Sequence, residues 1–264
     1  MLDKIKHTIA VCSGKGGVGK STVTTNLAVA LSRQGRRVGL LDADIYGYSI
    51  PRMMGVRDLM PDVAEKQISP VEKDGIKVIS MGFFVPKDQA VLWRGPLLHK
   101  AVTQFIDDVS WGELDYLLVD LPPGTGDVCI SIANKLPQAK ILVVTTPQIS
   151  AYEVAARVGV LSRETKLNVV GVVENMSYYE MPDGSHELIF GAGGGQVLAR
   201  RLSSELLGQI PLLIALRAAA DEGKPYAARD ETIFAELASR VCERCDNEQP
   251  PKQVKSGETT PHKV

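Results

Sequence analysis

The chain has 264 residues, 44% of them hydrophobic and 23% charged, with a formal net charge of -1. That size and composition allow a sizeable core without disulfide or metal staples, and the near-neutral balance gives no support to a dedicated nucleic-acid binder. No apolar run approaches the ~18 residues of a membrane helix. The opening MLDKIKHTIAVCSGKGG leads from a short apolar run straight into glycines, unlike a secretory signal, so a cytoplasmic protein with neither membrane nor nucleic-acid partners is expected.

Short runs rich in Val, Ile and Leu over residues 7–13, 37–44, 77–81, 116–121, 140–146 and 169–174 read as strands covered on both faces, with 207–211 as a further one. Between them, residues 21–34, 97–108, 127–136, 151–165, 195–202 and 231–245 read as helices, the first closed by Gly35 just past its end. This alternation predicts an α/β fold of the P-loop NTPase kind, with a mainly parallel twisted sheet and helices on both faces. Residues 51–75 show no clear period and read as a surface excursion. Residues 1–245 are expected to form a single domain, and the polar, Pro-containing stretch 246–264 a disordered tail.

Residues 14–21, GKGGVGKS, fit the pattern G-x-x-x-x-G-K-[ST] between a predicted strand and a predicted helix. Glycines let the backbone wrap phosphates with its N–H groups inward, and the helix that follows adds its positive end. The nucleotide contacts expected are Gly14, Lys15, Gly16, Gly17, Val18, Gly19, Lys20, Ser21 and Thr22. Lys20 should reach the β- and γ-phosphates of ATP, and the Ser21 hydroxyl should bind Mg²⁺.

Carboxylates stand at two strand ends, where ligands of parallel sheets bind. Asp42 and Asp44 in LLDAD point the same way, and Asp120 ends LLVD before PPGTGD. Asp120 fits a residue holding Mg²⁺, and Asp44 one that positions the attacking water beside the same metal, with Asp42 in support.

Lys15, directly after the first glycine, resembles the deviant Walker A group of partition and division-site ATPases and nitrogenase reductase. That resemblance implies a catalytic Lys15 that crosses a homodimer interface to the partner's nucleotide. The stretches LDADIYGYSIPRMMG (41–55), WRGP (93–96), DYLLVDLPPGTGDV (115–128), GVVENMS (171–177), FGAGGG (190–195) and GQIPL (208–212) are more specific. With them the chain resembles the Mrp family of P-loop ATPases, the iron–sulfur cluster carriers. The resemblance implies slow ATP hydrolysis, a homodimer, cluster delivery to apoproteins, and an adenine pocket with Asn175 and Pro211.

One departure stands out. Family members often carry Cys-x-x-Cys after ENMS, whereas YYEMPDGSHELIFG (178–191) has no cysteine. His186, Asp183 and Glu187 there read as solvated loop residues. The four cysteines are Cys12, Cys129, Cys242 and Cys245. The last two have ligand spacing for an iron–sulfur cluster bridged across a dimer, yet they also continue the helical stripe of Phe234, Leu237, Ala238 and Val241. Both readings stay open, while Cys12 and Cys129 read as core. Two alternative functions are a positioning ATPase of the partition or division-site kind and a nucleotide-gated adaptor that carries no cluster. The polar end lacks the basic amphipathic helix a membrane-associating ATPase would need.

Overall fold

The computed structural model describes residues 2–44, 47–64, 67–84, 102–124, 126–136, 138–148, 151–229 and 232–247. Seven strands run parallel: β1 (Ile5–Cys12), β2 (Val38–Asp42), β6 (Ile76–Ser80), β7 (Leu114–Asp120), β8 (Lys140–Thr145), β9 (Val169–Asn175) and β12 (Leu206–Ile210). With β5 (Val71–Lys73), antiparallel to β6, they make an eight-stranded sheet in the order β12-β9-β8-β1-β7-β2-β6-β5, while β10 (Tyr179–Glu180) and β11 (His186–Glu187) form a separate antiparallel pair.

The apolar runs are explained by burial on both faces. Ile9 and Val11 of β1 enter one core cluster, and Ala10 and Cys12 the other, following the two-residue period of a strand. The first cluster is covered by α1 (Lys20–Arg33), α2 (Ile50–Met53), α6 (Ile214–Glu222) and α7 (Thr232–Asn247). The second is covered by the helical stretch 102–107 and by α3 (Asp127–Asn134), α4 (Ala151–Thr165) and α5 (Gly194–Arg201).

The excursion at 51–75 is more ordered than its sequence suggests. It holds the end of α2, a hairpin of β3 (Asp62–Ala64) and β4 (Gln67–Ser69), and the edge strand β5. Three-residue strands are too short to display a period, and all of β3 is exposed. Helix α6 was not anticipated either. It stops at Gly223, which adopts φ 67° and comes so close to the chain that a Cβ there would lie 2.7 Å from the Gly55 Cα.

The expected end of the last helix moves by two residues. Helix α7 runs to Asn247, and Asp246 Oδ1 accepts from Lys6 Nζ at 3.4 Å and pairs with His7 Nε2 at 3.2 Å. The rest of the expected tail, like residues 97–101 of the expected second helix, lies outside the described residues. Among the described residues, no helix is long and apolar enough to cross a membrane.

Candidate nucleotide-binding site

Strand β1 ends at Cys12 and α1 begins at Lys20, so the glycine-rich segment is the whole connection between them. Gly17 and Gly19 take φ 80° and 81°, a region that side chains with a Cβ avoid. At Gly19 a Cβ would also run into the Asn175 side-chain amide. Ser13 Oγ donates to the Lys15 carbonyl at 2.9 Å and tightens the loop entry. The loop opens onto a cavity of about 250 Å³, lined by Ser13, residues 15–22, Asp44, Gly47, Ser49, Met53 and Pro123. A larger cavity of about 420 Å³ at the other end of β1 is lined by Ile5, Lys6, Thr8, Lys135 and neighbours, with none of the strand-end carboxylates.

At the cavity floor and just behind it the expected residues meet. Lys20 Nζ lies 2.7 Å from Asp120 Oδ2 and 3.9 Å from Asp44 Oδ2. Ser21 Oγ donates to Asp120 Oδ2 at 2.5 Å, and Thr24 Oγ1 lies 2.9 Å from Asp120 Oδ1. Thr24 escaped the sequence reading, although four residues after Lys20 it shares that helix face. The parallel register sets Asp42 directly beside Asp120. Asp42 accepts from Ser80 Oγ at 2.9 Å, from the Asp44 amide at 3.2 Å and from the Ile50 amide at 3.4 Å. Burial, and then the Asp120 charge, raise its carboxyl well above the ordinary carboxylate range. Asp42 thus holds the turn that carries Asp44. A cation already stands among these oxygens, in the form of the Lys20 ammonium. The hard donors Ser21, Asp44 and Asp120 suit Mg²⁺ equally well.

The sequence profile of the NUBPL iron-transfer P-loop NTPases, in the ParA group, matches residues 4–245. The chain belongs to this family. An iron–sulfur cluster carrier protein of Mycobacterium bovis is 53% identical over 245 residues, covering 90% of the chain. The chain spans 64% of that relative's length. A protein of the same name from Methanocaldococcus jannaschii is 44% identical over 256 residues, covering 94% of the chain and 88% of the relative. Among solved structures, a nucleotide-binding protein from Archaeoglobus fulgidus in complex with ADP superposes with a TM-score of 0.78 at 39% identity. That match covers 88% of this chain and 92% of the other. The cell division ATPase MinD of Pyrococcus furiosus follows at 0.66 and 25% identity, covering 90% and 99%.

The mainly parallel sheet expected from sequence is therefore that of the family and its MinD-like neighbours. Asn175 and Pro211, expected at the base, come together where β9 and β12 end, with Ile210 opposite Asn175 in register. Asn175 is 3% exposed, and its Nδ2 donates to the Val18 carbonyl at 2.9 Å. It is thus a strut beneath the phosphate loop, a role that sequence did not suggest. The neighbouring Glu174 is buried too. It accepts from the Gly195 amide at 2.6 Å, at the start of α5, and from Gln209 Nε2 at 2.8 Å.

Lys15 leans away from the cavity floor. Its Nζ donates to Gln148 Oε1 at 2.5 Å, and Arg157 Nη1 donates to the Gly14 carbonyl at 3.0 Å. Neither Gln148 nor Arg157 was singled out from sequence, since both act across more than a hundred residues of chain.

All four cysteines are buried. Cys12 and Cys129 lie near the phosphate loop, in the core. Burial raises the Cys129 thiol to about 11 and the Cys12 thiol further. Cys242 and Cys245 are not brought to the cavity. They stand on the inner face of α7, 8% and 4% exposed, with Phe234, Leu237, Ala238 and Val241. Cys242 belongs to the same core cluster as Tyr116. This placement supports the packing role over the ligand role. The loop residues His186, Asp183 and Glu187 do not form a metal-binding group among the described residues. His186 stacks on Tyr178 instead, with ring centroids 4.0 Å apart.

Proposed function

We propose that this chain binds ATP with Mg²⁺, hydrolyses it slowly to ADP and phosphate, and uses the cycle as a homodimer to deliver iron–sulfur clusters to apoproteins. The observation that carries the reading is the convergence of Lys20, Ser21 and Asp44 on one cavity beside a glycine loop, with Asp120 buried directly behind Lys20 and Ser21. Lys20 and the loop amides would hold the β- and γ-phosphates, and Ser21, Asp44 and Asp120 the metal. Bound Mg²⁺ would offset the phosphate charge. Asp44 sits at the cavity wall on a turn fixed by Asp42, where a carboxylate can orient a water molecule. Asn175 and Pro211 would border the adenine.

Cluster delivery is supported by family membership and by the name that the relatives carry. The burial of all four thiols favours a second reading, a nucleotide-gated adaptor that ligates no cluster itself. Anaerobic reconstitution with iron and sulfide, followed by counting both per protomer, separates the two. Stoichiometric iron and sulfide released to an apoprotein supports the carrier, and their absence alongside intact ATP turnover supports the adaptor. Lack of any ATP turnover would overturn both.

A further inference from the structure

One short segment grips the first two residues of the phosphate loop from outside. Val154 fills the space of the absent Gly14 side chain, so that a Cβ there would meet its Cγ2 at 2.5 Å. Arg157 holds the Gly14 carbonyl at 3.0 Å, while Ser13 Oγ holds the Lys15 carbonyl at 2.9 Å. The Lys15 backbone is therefore fixed on both sides. Its side chain is held by Gln148 Oε1 at 2.5 Å, at the protein surface.

The chemistry of that contact matters. An amide oxygen gives an ammonium ion a hydrogen bond but no opposing charge, and an exposed contact of this kind is weak. Phosphate oxygens carry charge and bind an ammonium more strongly. Moving Lys15 from one to the other breaks a single hydrogen bond to an uncharged acceptor. We propose that Gln148 is the positioning residue of Lys15: it draws the ammonium onto its own chain until a second copy brings nucleotide phosphates within reach, and so sets how readily ATP joins two chains. The proposal rests on the reading above, in which Lys15 acts on the partner's nucleotide. It adds the competing contact that this transfer must break.

Sedimentation velocity with the imido analogue of ATP, over a range of protein concentration, tests it on wild type, Gln148→Ala, Gln148→Glu, Lys15→Ala and the double variant Lys15→Ala/Gln148→Ala. Nucleotide affinity is measured separately on dilute, monomeric protein. Gln148→Ala frees Lys15 in both protomers, and each lost contact is worth roughly threefold, so the dimer should tighten on the order of tenfold. Gln148→Glu should weaken it, because a carboxylate holds the ammonium as an ion pair. Monomer affinity should stay unchanged in both, and Gln148→Ala should have no effect once Lys15 is removed. Gln148 variants that dimerise like wild type, or a Gln148→Ala effect that persists without Lys15, would overturn the proposal while leaving the Lys15 reading intact. A Lys15→Ala dimer as strong as wild type would overturn both together.

Discussion

The Lys20 ammonium lies 2.7 Å from Asp120 Oδ2, with the two side chains 6% and 0% exposed. The pair sits at the centre of the site. Its lysine is the group expected to meet phosphate, and its carboxylate is the group expected to serve the metal. On the proposed function, nucleotide binding would draw Lys20 away from Asp120 and supply another cation to replace it.

Removing Lys20 has a consequence beyond lost phosphate contacts. Asp120 and the neighbouring Asp42 would face each other buried, without their lysine. Breaking a buried pair by removing one partner costs about 3 kcal/mol or more. Lys20→Ala should therefore lose ATP binding and also unfold at lower denaturant concentration. Lys20→Ala/Asp120→Asn should regain most of the stability but none of the binding. Urea unfolding and calorimetric titration check the two halves, and a Lys20→Ala protein as stable as wild type would contradict the first.

Asp44 should show the opposite split. It lines the cavity but is 3.9 Å from Lys20, farther than Asp120. Asp44→Asn should slow turnover by about 100-fold, the scale of a lost water-orienting group, with ATP affinity little changed. An equal loss of affinity would make holding the metal, rather than orienting the water, the main role of Asp44.

What sequence made legible here is what is local. The phosphate loop is written in consecutive residues, because its φ angles demand glycine at Gly17 and Gly19. The sheet is written in apolar runs, because strands buried on both faces such as β2 tolerate little else. Helix α6 hid because its Ala-rich turns follow directly on the strand-end Pro211, with only Gly223 to mark a stop. The supports of the site hid for another reason. Gln148 reaches Lys15 and Asn175 reaches Val18 only after the sheet has brought distant strand ends together. No periodicity or spacing records such pairs.

The Asn175 strut separates two roles. If the residue acts through Val18, Asn175→Ala should weaken ADP and GDP alike, by about fivefold for one lost buried hydrogen bond. If it reads adenine, the loss should fall on ADP alone. The geometry favours the first outcome, and paired calorimetric titrations with the two nucleotides decide between them.

The Cys242 and Cys245 thiols pose the sharpest question for cluster chemistry. They face the core from α7, Cys242 against Tyr116, on the face that packs over α1, β9 and β12. To ligate a cluster across a dimer, both would have to leave that face, and α7 would have to lose the burial that holds it. A helix whose apolar stripe stabilises the domain is a poor element to move. Cys242→Ser/Cys245→Ser should therefore act as a core substitution. Each hydroxyl replaces a small apolar group in a closed site, at a cost of about 1–3 kcal/mol unless it finds a hydrogen-bond partner. The denaturation midpoint should fall, while iron and sulfide bound per folded protomer after anaerobic reconstitution should equal those of wild type. Loss of iron with stability intact would reverse the assignment and make α7 the cluster-bearing helix.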